Sequence, residues 1–159
     1  MIIKVGTGYD IHRLIKGRKL ILGGVEVPYE KGLEGHSDAD VLLHAICDAL
    51  LGAIGKGDIG EHFSNTDEKY RNVSSLILLK TVYDLVKKEG YSIINIDAII
   101  HAEEPKLMAH KVKMCSVIAK SLAIKEDAVN IKATTHEGLG AIGNKEGIAA
   151  MATVLIKKG

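Results

Sequence analysis

Gly8-Tyr9-Asp10-Ile11-His12 decides how the rest of the chain is read. With Ile3 and Val5 before it, the stretch alternates as a β-strand. Side chains along a strand alternate between two faces, so Asp10 and His12 share one face and Tyr9 and Ile11 the other. Ahead of Asp10 on its own face stand Gly6 and Gly8, which carry no side chain. A carboxylate and an imidazole therefore converge on open space that a third group or a ligand can approach. That pair is two-thirds of a divalent metal site. Taken alone, the pair reads rather as a strand end with two polar residues facing water, and the rest of the chain decides.

Working outward, Lys19–Leu22 and Val25–Val27 are two short apolar runs joined by Gly23-Gly24, the pattern of a hairpin with a primed turn, and Pro28 ends the second run. A polar loop from Tyr29 to Gly35 leads to His36-Ser37-Asp38-Ala39-Asp40. Ser37 with Asp40 three residues on resembles a capping box and predicts a helix over about 38–51. Leu42, Leu43, Ala45, Ile46, Ala49, Leu50 and Ala53 give that helix a broad core-facing surface. His44 falls at one edge of it, as a half-buried residue bonded to a neighbour or as a ligand.

Gly52, Gly55, Gly57 and Gly60 follow a helix, so they are not a dinucleotide fingerprint. They read as a helix stop, or as a loop, Gly57-Asp58-Ile59-Gly60, whose backbone approaches a ligand. Phe63 to Lys69 continues as an exposed polar loop. A second helix is expected over 73–89, striped by Leu76, Leu79, Val82, Tyr83 and Val86. A strand is expected over 91–101, with Ile94, Ile96, Ala98 and Ile100 on one face and Ile93, Asn95, Asp97 and Ile99 on the other. After Ala102–Lys106 comes a third helix ending near Leu122, striped by Val112, Cys115, Ile118 and Leu122. Val129–Thr135 is a strand, 136–147 a second glycine-rich loop, and Ile148–Lys157 a last strand apolar on both sides. The order predicts a single α/β (α+β) domain over 1–159, a mixed sheet with helices on one face. The doubly apolar last strand suggests helices on one side and a partner subunit on the other.

Composition narrows the functional classes. Lys plus Arg is 21 and Asp plus Glu is 20, Trp is absent and Phe occurs once, so neither a basic surface nor a stacking surface for nucleic acid is evident. Two cysteines without metal-type spacing fit a reducing compartment. The opening Met1–Val5 reads as strand rather than signal peptide, and no apolar run is long enough to span a membrane. A cytoplasmic protein is expected.

Taken together, several motifs resemble one family, the 2-C-methyl-D-erythritol 2,4-cyclodiphosphate synthases. They are Gly8–His12, Ile21–Val25, His36–Ala45, Gly57–Gly60, Pro105-Lys106, Lys132–Thr135, Glu137 and Leu139-Gly140. The resemblance runs the length of the chain, in order. It implies a homotrimer with sheets facing the centre and active sites between neighbours. It also implies a reaction of the non-mevalonate isoprenoid pathway, in which the 2-phosphate of 4-diphosphocytidyl-2-C-methyl-D-erythritol 2-phosphate attacks the β-phosphorus and CMP leaves.

The resemblance assigns roles residue by residue. Asp10, His12 and His44 correspond to the ligands of one zinc per subunit, and Glu137 to the holder of a second cation, Mg2+ or Mn2+. His36 and Thr135 correspond to transition-state stabilisers, and Ser37 adds a donor beside them. Asp58 and Gly60 map to the methylerythritol region, and Ile59, Phe63, Asn65 and Asp67 count among the substrate-binding residues. Ala102, Pro105, Lys106, Leu107, Met108 and Thr134 map to the cytidine pocket. Ala141 and Asn144 stand where many members have an aromatic and an Arg, and Asn65 where many have Asp. Loss of Arg removes a bidentate phosphate binder, for which the adjacent Lys145 is a substitute point charge. Two other readings fit the metal motif: a zinc-dependent phosphoesterase and a non-catalytic, metal-stabilised oligomer.

Overall fold

The computed structural model describes residues 1–159. Its strands are β1 (Ile2–Lys16), β2 (Leu20–Leu22), β3 (Val25–Val27), β4 (Lys31–Leu33), β5 (Ser92–His101), β6 (Val129–Thr134) and β7 (Gly147–Lys158). Its helices are α1 (Val41–Ala53), α2 (Ile59–His62), α3 (Ser75–Lys88), α4 (Lys111–Leu122) and α5 (Gly140–Gly143). A mixed five-stranded sheet has the order β4-β1-β7-β5-β6, antiparallel except for β5 and β6, and β2-β3 is a separate hairpin. The parallel pair is joined through α4, the kind of crossover that parallel neighbours require. No helix is long and apolar enough to cross a membrane.

Helix α1 is the centre of the core. Leu42, Leu43, Ile46, Leu50 and Leu51 are fully buried, each contributing about 1.5–3 kcal/mol over exposure. The helix lies against β1 and β7 on one side and α3 on the other. Its approach to β1 explains Gly6 and Gly8. A Cβ at Gly6 would stand 1.9 Å from the Ala49 carbonyl oxygen, and one at Gly8 2.0 Å from that of Ala45. The face left bare by the glycines is thus filled by the α1 backbone, not open as the strand pattern alone suggests.

The helix begins later than expected. Asp40, not Ser37, is the N-cap, accepting from Leu43 N at 3.1 Å, and α1 runs over 41–53. The same carboxylate accepts from Gly23 N at 3.0 Å and Gly24 N at 2.7 Å, fastening the hairpin turn to the helix. Both glycines have positive φ, as a type I′ turn requires. Burial pushes the Asp40 carboxyl up to about 6, against the pull of these backbone donors.

Other boundaries differ for local reasons. The expected polar loop at 29–35 contains β4, which pairs with the far end of a first strand that runs to Lys16. A bulge between Ile93 and Asn95 breaks the alternation of β5, so Ile93 is buried with Ile96 rather than facing away from it. On α4 the buried residues are Met114, Ile118, Ala119 and Leu122, while Val112 is exposed and Cys115 only half-buried, so the stripe holds at Ile118 and Leu122 and starts at Met114. Each glycine-rich loop holds a four-residue helix, α2 and α5.

The sheet has two unlike faces. Along β7, Ile148, Ala150, Ala152, Val154 and Ile156 are buried under the helices. On the other face Val5 is 63% exposed, Tyr9 54%, Ile11 47% and Met151 43%. In the single chain this apolar face has no partner.

Candidate functional site

Strand alternation aims Asp10 and His12 from β1 toward α1, where His44 sits in the second turn. Asp10 Oδ2 lies 2.9 Å from His12 Nε2 and 3.0 Å from His44 Nδ1, and the two ring nitrogens are 3.2 Å apart. The outer nitrogens are occupied. His12 Nδ1 donates to the Glu34 carbonyl at 2.7 Å. His44 Nε2 meets Ser75 Oγ at 2.9 Å and Ser37 Oγ at 3.2 Å. Such outer partners fix ring orientation and tautomer, leaving Nε2 of His12 and Nδ1 of His44 to present lone pairs inward. Burial favours a neutral Asp10, but hydrogen bonds and charge from His12 and His44 outweigh it and bring its carboxyl down to about 2. Burial likewise opposes charge on His12, yet Asp10 raises it overall. A carboxylate and two inward lone pairs call for a cation or a proton between them. The donor set fits a divalent metal, and these three residues could hold one.

A cavity of about 420 Å³ opens beside the cluster. Its lining includes Asp10, His12, His36, Ser37, His44, Ile59, Gly60, Phe63 and Asn65, which the sequence had singled out, and Tyr70 and Leu78, which it had not. Tyr70 packs edge-on against Phe63 with ring centroids 5.3 Å apart. Asp58 is exposed and its carboxylate accepts from Glu61 N at 3.1 Å, capping α2. Asp67 reaches the site through its carbonyl, which accepts from His36 Nε2 at 2.8 Å, while its carboxylate caps the turn at Lys69.

A second cavity of about 340 Å³ is lined by Ala102, Glu103, Pro105, Lys106, Leu107, Met108, Lys111, Ala133, Thr134 and Thr135. The two cavities share no residue, so one chain keeps His36 and Thr135 apart. Glu137 lies just beyond Thr135 at a positive φ of 51°. Glu103 accepts from His136 N at 3.0 Å and Gly138 N at 3.2 Å, gripping the backbone on both sides of Glu137. Ala141 and Asn144 belong to α5 and its C-cap and line neither cavity. Lys145, beside Asn144, has its ammonium 2.8 Å from a Glu104 carboxylate oxygen.

Sequence reasoning missed Ser75, Asp38, Arg18 and Glu103. Asp38 accepts from the Ser75 hydroxyl and backbone N–H, orienting that serine toward His44. The arginine forks onto the carbonyls of Gly35 and Ser37. Only contacts made by the tertiary fold reveal these roles.

Comparison with known proteins bears on the site. The sequence model of the YgbB family matches residues 3–157. A protein of Desulfosudis oleivorans named 2-C-methyl-D-erythritol 2,4-cyclodiphosphate synthase is 56% identical over 154 residues, 97% of this chain and 92% of that one. Among solved structures, the bifunctional IspDF from Campylobacter jejuni aligns at TM-score 0.96 and 46% identity over 99% of this chain, which spans 43% of that longer one. An IspF of Plasmodium falciparum in complex with CDP aligns at TM-score 0.86 and 35% identity, over 99% of this chain and 97% of that chain.

Proposed function

This chain belongs to the YgbB family, and on that premise we propose how its residues carry out the synthesis for which its relatives are named. Its function is cyclodiphosphate synthesis in isoprenoid biosynthesis. The observation that carries the mechanistic reading is the convergence of Asp10, His12 and His44 in a cavity that also contains His36.

The substrate in this reading is 4-diphosphocytidyl-2-C-methyl-D-erythritol 2-phosphate. An oxygen of its 2-phosphate bonds to the β-phosphorus, the bond from that phosphorus to the bridging oxygen breaks, and CMP leaves with the electron pair. An anion attacks an anion, so alignment and charge neutralisation dominate the barrier. Asp10, His12 and His44 would hold one zinc ion per chain and Glu137 a second cation, Mg2+ or Mn2+, supplying Lewis-acid neutralisation of phosphate charge.

The chain's own groups do the rest. His36 has Nε2 committed to the Asp67 carbonyl, so Nδ1 is the ring nitrogen left for a phosphate oxygen. Thr135 donates its hydroxyl proton, because its oxygen already accepts from Glu137 N at 3.4 Å. Ser37 orients His44 and lies within reach of the same anion. Asp58, Ile59, Gly60, Phe63, Asn65 and Asp67 form the methylerythritol side. Ala102, Pro105, Lys106, Leu107, Met108 and Thr134 form the cytidine side, a reading supported by the related protein solved with CDP. Ala141 and Asn144, on α5 and at its C-cap, are assigned to the substrate's phosphates on the family resemblance alone.

Two observations support a homotrimer with sheets facing the centre and active sites at the boundaries. His36 and Thr135 occupy separate cavities of one chain, so a neighbour's second cavity is needed to complete the first. The exposed apolar face of β1 and β7 also requires cover. In this reading the enzyme is a cytoplasmic phosphorus-oxygen lyase whose 159 residues form one synthase domain. Incubation with the diphosphocytidyl substrate and both cations tests it. The expected products are CMP and the cyclic diphosphate; a linear hydrolysis product would overturn the mechanism in favour of a phosphoesterase.

A further inference from the structure

Arg18 belongs to no assignment above, yet it is tied to the catalytic segment at two points. It lies between β1 and β2, half-buried, with its guanidinium behind the loop that carries His36. One terminal nitrogen donates to the Gly35 carbonyl at 2.9 Å and the other to the Ser37 carbonyl at 2.8 Å. These are the carbonyls immediately before and after His36. The His36 carbonyl itself accepts from Asn72 N at 2.7 Å, and Nε2 of its ring is fixed on Asp67. Three successive carbonyls and one ring nitrogen are thus anchored, which leaves Nδ1 as the free nitrogen of the ring.

We propose that Arg18 is the positioning residue for His36, a fork that sets the backbone on both sides of the catalytic imidazole. The proposal rests on the reading of His36 as a phosphate donor and adds what holds it in place. Only a guanidinium suits the task. Its two terminal nitrogens donate side by side in a plane, matching two carbonyls two residues apart, whereas an ammonium is a point donor without that planar fork. The same segment serves the metal ligands. Glu34 supplies the carbonyl partner of His12 and Ser37 a hydroxyl for His44. A Cβ at Gly35 would stand 2.8 Å from Ala39 Cβ and 3.3 Å from the His12 ring, so the chain here passes close to His12 with little room for a side chain. A displacement of about 1 Å at a catalytic group lowers a rate about a hundredfold, so loosening this loop acts on turnover.

The test compares Arg18→Lys and Arg18→Gln with the parent enzyme, each also in a His36→Ala background, by steady-state kinetics and thermal melting. Expected are a roughly ten- to hundredfold fall in kcat for both, KM within about threefold, and almost no further loss once His36 is gone. Full kcat in Arg18→Lys would overturn the proposal, since charge without the fork would then suffice. The same fold-loss with and without His36 would overturn it too, marking Arg18 as a support of the fold. Parental kcat in His36→Ala alone sinks the reading of His36, and with it any positioning role. Where the lysine variant melts far below the parent, guanidinium added to Arg18→Ala decides: recovery of kcat supports the fork, and none refutes it.

Discussion

His44 Nδ1 on α1 stands 3.0 Å from Asp10 Oδ2 on β1, although 34 residues separate them in the chain. Replacing His44 by Ala removes one of the three proposed ligands and leaves Ser75 and Ser37 without their ring partner. Bound zinc in purified protein is expected to fall from about one per chain to near zero, and kcat by roughly a thousandfold. The far-ultraviolet circular dichroism stays that of a folded chain, because the core on α1 is untouched. Elemental analysis finding parental zinc in the variant would contradict the assignment.

Gly8→Ala places a methyl group 2.0 Å from the Ala45 carbonyl oxygen, a backbone atom that cannot rotate away. Helix and strand must separate. The expected loss is about 3 kcal/mol, read as a lower urea midpoint, with zinc affinity falling alongside because Asp10 and His44 move apart. A midpoint equal to the parent's would show that the contact relaxes freely.

Val5→Asp puts a carboxylate on the exposed sheet face while leaving both cavities intact. Sedimentation is expected to shift from trimer toward monomer, with turnover lost in proportion and recovered as protein concentration rises. A fully active monomer would exclude a site shared between subunits.

Asp40→Asn tests the buried cap through pH. The Asp40 carboxyl stands at about 6 in the folded chain, above its ordinary value of 3.8. Both states are protonated below that ordinary value, where its contribution is most favourable. As pH rises to about 6 the unfolded chain releases the proton first, so folding is progressively disfavoured, by about 3 kcal/mol in all. Asparagine does not titrate. The stability of the parent minus that of the variant is therefore expected to decline by about that amount between pH 4 and 7, measured by urea unfolding at each pH. A constant difference would show that the backbone donors of Gly23, Gly24 and Leu43 hold the carboxylate ionised throughout.

The sequence disclosed what depends on period and on side-chain chemistry. Alternation put Asp10 and His12 on one face, Gly23-Gly24 marked the turn, and the apolar pattern placed α1, α3 and both long strands of the sheet's middle. It could not disclose what depends on which backbone group meets which side chain. Ser37 followed by Asp40 looked like a cap, but the hairpin turn brings two further N–H groups to Asp40 and makes that residue the cap. The bulge in β5 and the pairing of β4 are likewise decided by partner strands. Arg18 and Glu103 were silent for the same reason: each grips main-chain atoms flanking a site residue, and such grips leave no local signature.

Backbone meets backbone where β1 crosses α1 at Gly6 and Gly8, and this ties the candidate metal site to the crossing itself. Elsewhere in a core, drift at one position can be absorbed by drift at its neighbour. Here there is no side chain on the strand to exchange and no volume to trade. The spacing of Asp10, His12 and His44 is therefore set by the packing of strand on helix, and only their outer partners are supplied by the surrounding loops and α3.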